Sequence, residues 1–174
     1  MIKLLVIDVD GTMTNGGIIY DSSGVESKIF NVKDGLAMVS WIRLGGEIAV
    51  ITGRNSFVVE KRMGELGVNY LFQGIKDKTH VLEKIMDQMK ITYKEVATIG
   101  DDMNDFAMLV KSNMSFAPKD SNPLILEAVT HPLNANGGEG AVAQMIEAIL
   151  AHENRTNEYL DLWLSETEKK WIAQ

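Results

Sequence analysis

Short apolar runs that break off into polar residues constrain this chain more than any other feature. Residues 3–9, 48–51 and 96–99 are rich in β-branched side chains and have the length of buried strands rather than helices. The first ends in Ile7-Asp8-Val9-Asp10-Gly11-Thr12, the second in Ile51-Thr52-Gly53-Arg54, the third in Gly100-Asp101-Asp102-Met103-Asn104-Asp105. Side chains alternate along a strand, so Asp8 and Asp10 point the same way, and Gly11 lets the chain turn beside them. Like charges at one place repel unless a cation or a proton lies between them. Taken alone, the first run also reads as an Asp-Gly turn closing a buried strand. Its repetition, with Lys78 placed after Gly74-Ile75-Lys76-Asp77 at the head of a helix, favours chemistry.

Between these runs the periodicity is helical. Helices are predicted at 31–44 (apolar at Leu36, Val39 and Ile42), at 55–66 (Val58, Val59, Met63, Leu66), at 77–89 (Val81, Leu82, Ile85, Met89), at 103–111 and at 141–152, with a short one opened by Asn122-Pro123. Further strands are predicted at 69–72, 113–117 and 128–131. Strict alternation of strand and helix implies an α/β fold: a Rossmann-like parallel sheet with helices on both faces and its site beyond the carboxyl ends of the strands. Two β-prone stretches around the polar turn Asp21-Ser22-Ser23-Gly24 predict a small hairpin at about 17–30, directly after the first strand. The expected organisation is one domain over 1–152 and a helical tail over 153–174. Tyr159, Leu160, Trp163, Leu164, Trp171 and Ile172 give the tail an apolar face, to be packed on its own domain or on a neighbouring subunit.

Charge and composition remove several functional classes. A formal charge of 17 − 24 = −7 is wrong for a general nucleic-acid binder. With no cysteine, a metal must be held by oxygen or imidazole. His80, His131 and His152 are scattered outside the motifs and read as structural or surface residues, which leaves oxygen. No apolar stretch approaches the roughly 20 residues of a membrane span, and no leader precedes the first strand, so a cytoplasmic protein is expected.

The four motifs in this order resemble those of the haloacid dehalogenase superfamily of phosphatases. Within it, Phe30-Asn31-Val32-Lys33-Asp34-Gly35, Ile51-Thr52-Gly53-Arg54, Gly100-Asp101-Asp102 and Gly137-Gly138-Glu139-Gly140 resemble the nearly capless, tetrameric group acting on phosphates of 2-keto-3-deoxy sugar acids. The resemblance implies an Mg²⁺-dependent phosphomonoesterase with Asp8 as nucleophile and Asp10 as acid and base. It implies metal ligation by Asp8, the Asp10 carbonyl and Asp101, with Asp102 and Asp105 orienting them. Thr52, Gly53 and Lys78 would hold the phosphate. Asp10, Val32, Lys33, Asp34, Gly35, Arg54, Arg62 and Asn104 would contact the rest of the substrate. It also implies a homotetramer whose neighbour's edge replaces a cap. Arg54 favours the eight-carbon acid, 3-deoxy-D-manno-octulosonate 8-phosphate, whereas Glu139 favours a nine-carbon 9-phosphate. A non-catalytic assembly domain of the same fold is the remaining alternative.

Overall fold

A computed structural model describes residues 1–164. Its centre is a parallel sheet of β1 (Leu4–Ile7), β4 (Glu47–Ile51), β5 (Tyr70–Phe72), β6 (Val96–Ile99), β7 (Met114–Ala117) and β8 (His131–Pro132), in the order β5-β4-β1-β6-β7-β8. All five neighbouring pairs are parallel. Two-residue strands β2 (Ile19–Tyr20) and β3 (Glu26–Ser27) pair antiparallel as a separate hairpin. The helices are α1 (Val32–Arg43), α2 (Phe57–Leu66), α3 (Lys78–Met89), α4 (Phe106–Lys111), α5 (Pro123–Ala128), α6 (Ala141–His152) and α7 (Thr156–Asp161).

Alternation along the strands sorts the core into two layers. Leu5, Ile7, Ile48 and Val50 pack with Ala37, Met38 and Trp41 of α1, Met63 of α2 and Met145 and Ile149 of α6. Leu4, Val6, Ala49 and Ile51 face the other way, onto Leu82 and Ile85 of α3 and Met108 of α4. Every residue of β1 is fully buried, and each such aliphatic side chain contributes about 1.5–3 kcal/mol relative to exposure. The same alternation carries Asp8, two residues beyond Val6, to the α3 side of the sheet.

Helix ends follow their sequence signals. Asn31 caps α1 by accepting from Lys33 N, Ser56 caps α2, Asp77 caps α3 and Asn122 caps α5, with proline at the first turn. Thr92 and Glu95 form a capping box.

Three expectations are corrected. The most buried side chains of α1 are Ala37, Met38 and Trp41, which meet the core that includes α6; Val39 and Ile42 pack at its margin, and Leu36 is exposed. Helix α4 begins at Phe106 rather than 103 because its upstream backbone is bound by carboxylates: Asp105 Oδ2 accepts from Asp101 N (3.2 Å) and Asp102 Oδ1 from Met103 N (2.8 Å). The last strand falls at His131–Pro132, since Ala128 still belongs to α5.

After α6 the described residues, as far as Leu164, pack on their own domain. Trp163 Nε1 donates to Ser40 Oγ (3.0 Å), and the Arg43 guanidinium lies 5.1 Å from the centre of its ring. Trp171 and Ile172 lie outside the described residues.

Candidate active site

Strand order decides what meets. Strand β1 lies between β4 and β6, and Leu4 to Ile7 pair with Glu47 to Val50 on one side and with Val96 to Ile99 on the other. The residues that follow, Asp8, Thr52 and Asp101, therefore emerge together at one edge of the sheet. From β1 the chain builds outward through β4 and β5, then crosses back to β6, so this edge includes the place where strand order reverses.

Asp8 is buried, and its Oδ1 accepts from Lys78 Nζ at 2.5 Å. Lys78, the first residue of α3, also donates to Asp105 Oδ1 at 2.6 Å and is itself buried. Asp101 completes a cluster: one carboxylate oxygen each of Asp8, Asp101 and Asp105 lies within 4.8 Å of the others. Gly11 permits this approach, for a Cβ there would stand 2.1 Å from Asp101 Oδ2, and its φ of 94° is left-handed.

Three carboxylates around one ammonium carry −3 + 1 = −2. The acids respond accordingly. Burial and then repulsion from Asp105 raise the Asp8 carboxyl well above its ordinary value, although Lys78 opposes them. Burial, Asp105 and Asp102 push Asp101 up to about 7, and burial also raises Asp105. Burial pulls Lys78 down, but Asp8 and Asp105 more than offset it, so the lysine keeps its charge. An oxygen-only pocket short of two positive charges fits a hard divalent cation.

Asp10 does not belong to that cluster. Its Oδ1 accepts from Lys28 Nζ of the hairpin, and its Oδ2 stands 3.9 Å from Arg54 Nε. Neither Lys28 nor Glu26 was predicted as a site residue. Glu26 accepts from Arg54 Nη2 (3.3 Å) and from Ser56 Oγ and lies 3.5 Å from Lys28 Nζ, while Arg54 also donates to Tyr20 OH (2.9 Å). The signal for Lys28 was its spacing: it stands two residues beyond Glu26 of β3, and alternation carries both side chains the same way.

The other predicted residues separate. Thr52 is buried at the end of β4, and Gly53 is exposed beside it. Asp102 sits outside the cluster, accepting from Asn122 Nδ2 (2.9 Å), and Asn104 is exposed on the same loop. Val32 and Lys33 are exposed at the start of α1. Asp34 is corrected as a substrate contact: only 1% exposed, it accepts from Ala143 N (2.8 Å) and so caps α6 from across the core. Gly35 is buried against the Arg62 guanidinium, which would lie 2.4 Å from a Cβ there, and Arg62 pairs with Glu65 (3.3 Å). The glycine loop backs the site: a Cβ on Gly137 would meet Gly11 O at 1.9 Å, and Gly138 N donates to Thr12 O (3.0 Å). Glu139 turns to Asn136 Nδ2 (3.1 Å) and lines a cleft of about 470 Å³ with Lys33, Leu36, Gln144, Glu147 and Tyr159. His80, His131 and His152 are all exposed, His131 stacking on Phe116 at 4.9 Å.

Comparison with known proteins places this geometry in a family. A profile of haloacid dehalogenase-like hydrolases matches residues 71–146. The chain belongs to the haloacid dehalogenase-like hydrolases, and its nearly capless form is that of the phosphatases it resembles. It is similar to the 3-deoxy-D-manno-octulosonate 8-phosphate phosphatase KdsC of Escherichia coli K12, with 33% identity over 90% of this chain and 84% of that enzyme. The Yersinia pestis enzyme of the same name is 34% identical over 88% and 82%. Among solved structures, the Moraxella catarrhalis phosphatase in complex with magnesium, phosphate and KDO superimposes with a TM-score of 0.90, at 32% identity over 94% of each chain. The cobalt-bound Haemophilus influenzae phosphatase gives 0.84 at 34% identity, over 88% of this chain and 90% of that one.

Proposed function

We propose that this chain is an Mg²⁺-dependent phosphomonoesterase that converts 3-deoxy-D-manno-octulosonate 8-phosphate to the free acid and phosphate. The observation that carries the reading is the Lys78 ammonium held between Asp8 and Asp105, with Asp101 in the same cluster. A non-catalytic domain has no use for three crowded carboxylates whose repulsion a single ammonium only partly relieves.

In this reading an Asp8 oxygen attacks phosphorus, the ester P–O bond breaks with its electron pair on the departing oxygen, and the Asp10 carboxyl protonates that oxygen. Water then hydrolyses the aspartyl phosphate, giving its proton to Asp10. Asp8, the Asp10 carbonyl and Asp101 would hold Mg²⁺, which would offset charge on the phosphoryl oxygens. Lys78 neutralises the same oxygens, fixed by Asp105, while Thr52 and Gly53 at the end of β4 bind them. Asp102, through Asn122, braces the loop that carries Asp101.

Arg54, at the mouth, is the proposed ligand of the substrate carboxylate, a role suited to a planar guanidinium. Val32, Lys33 and Asn104 are exposed and free to reach the sugar or a neighbouring copy. The eight-carbon acid is favoured because Glu139 faces Asn136 and the α1/α6 cleft. We further propose a homotetramer. Ile18, Ile19, Tyr20, Val25 and Ile29 are all exposed on or beside a hairpin too small to be a lid, an apolar surface that a second copy would cover. Comparing kcat/KM on the eight- and nine-carbon acids with purified protein and Mg²⁺ tests the substrate, and a clear preference for nine carbons would reverse it. Turnover by Asp8→Asn would refute the mechanism.

A further inference from the structure

The hairpin delivers a charge to the site that the chemistry above does not employ. The Lys28 side chain is only 1% exposed, although it springs from an exposed two-stranded hairpin, and its ammonium lies on Asp10 Oδ1. Fixing a lysine costs up to about 2 kcal/mol of rotamer freedom, and withdrawing its charge from water costs more, so burial of this kind requires charged partners. Glu26 is one, at 3.5 Å, but Glu26 is already held by Arg54 and Ser56 and would pin the hairpin by itself. Lys28 reaches past it to Asp10. Among the described residues, the hydrogen bond to the Asp10 carboxylate comes from Lys28, and Arg54 Nε flanks the other oxygen at 3.9 Å.

We propose that Lys28 is a positioning residue that fixes Asp10 for proton transfer to the leaving alcohol. This rests on the reading of Asp10 as acid. A carboxylate on a one-carbon stem has several staggered rotamers, and some turn it back toward Asp8 and Asp101. Bound to Lys28, Asp10 instead faces the hairpin and Arg54, the proposed ligand of the part of the substrate that departs with the alcohol. Lys28 itself neither gives nor takes a proton. Its hairpin, latched through Glu26 to Arg54 and Ser56, sets the carboxylate from a second point on the chain. A substrate-sized misplacement of the acid would then follow from loosening a segment that touches no phosphate.

The test uses the dependence on leaving group. An alkoxide needs the proton as it departs, whereas 4-nitrophenolate leaves without it. The quantity to read is kcat/KM, which covers only the steps up to release of the alcohol and excludes the later hydrolysis. For Lys28→Met, kcat/KM on 3-deoxy-D-manno-octulosonate 8-phosphate should fall roughly 10–100-fold, and on 4-nitrophenyl phosphate less than about threefold. Lys28→Arg should recover at least about a third of the lost rate, since a guanidinium still donates to Asp10. Retained cleavage of the aryl ester also establishes that the variant is folded. An equal loss on both esters, or no loss on the sugar acid phosphate, would overturn the positioning role. A wild type inert toward both esters would instead overturn the phosphatase reading, and the positioning role with it.

Discussion

Asp34 is the perturbation with the most calculable consequence. Its carboxylate is almost fully buried, Oδ1 accepts from Ala143 N at 2.8 Å, and Oδ2 has no hydrogen-bond partner. Burial pushes its pKa from 3.8 up to about 6, against the lowering effect of the Ala143 and Val142 amides. The native state thus holds this proton more tightly than the unfolded chain. The group is most favourable to folding below about pH 4, and the benefit is lost as pH rises through about 6. A rise of about two pH units corresponds to about 3 kcal/mol lost by pH 8. Asp34→Asn keeps an acceptor for Ala143 N and cannot ionise, but it forgoes about 0.3–1 kcal/mol of charge interaction with the α6 N-terminus. The variant should therefore match or fall slightly below wild type at pH 4.5 and exceed it by about 2 kcal/mol at pH 8. For a chain of this size that is about 4–8 °C in Tm. Thermal melts of both proteins across this range, at saturating Mg²⁺ so that the metal-site acids stay constant, give the difference directly. A difference that is flat in pH, or turns against the variant as pH rises, would refute the account. A tenfold increase in KM would return Asp34 to the substrate site.

Further outcomes follow from the same geometry. Asp8→Asn should abolish turnover yet raise the metal-free Tm, because it removes one of three crowded carboxylates and mimics the neutral form that burial favours; a fall in metal-free Tm would contradict the electrostatic description. EDTA should silence the wild type, and Mg²⁺ at about 100 times its Kd should restore activity and add about 2.7 kcal/mol of stability in a melt. Arg54→Ala should lower kcat/KM on the sugar acid phosphate by about 1–3 kcal/mol in transition-state binding, read from steady-state kinetics. Gly137→Ala should cost about 2–3 kcal/mol or more in denaturant unfolding, since its Cβ would sit 1.9 Å from a backbone oxygen that cannot step aside.

How much of this was legible in the sequence depended on whether the determining interactions were local. Strand β6 and helix α6 begin and end where the pattern put them, because a run buried on both faces, or an uninterrupted amphipathic stripe, is determined by its own residues. The start of α4 was misplaced for an equally local reason that periodicity does not register: Asp102 and Asp105 take backbone N–H groups as hydrogen-bond donors and hold 101–105 as a loop. At the site, Asp8, Lys78 and Asp101 were recognisable because each ends a strand or begins a helix, and parallel topology brings such ends together.

The residues that were missed, or assigned to the wrong place, act across distance in the chain. Lys28 meets Asp10 after 18 residues, Ser56 meets Glu26 after 30, and Asp34 meets Ala143 after 109. In each case a charged side chain beside a recognisable motif was available both to substrate and to the protein's own scaffold. Asp34 lies within Asn31-Val32-Lys33-Asp34-Gly35, where Val32 and Lys33 are exposed but the helical turn carries Asp34 inward. The motif therefore combines two tasks: its first residues face outward at the mouth, while Asn31 donates to Gly138 O (3.2 Å) and Asp34 caps α6. Because Gly138 in turn donates to Thr12 O, the start of α1 bears on the loop just after Asp10 through the glycine segment rather than by direct contact.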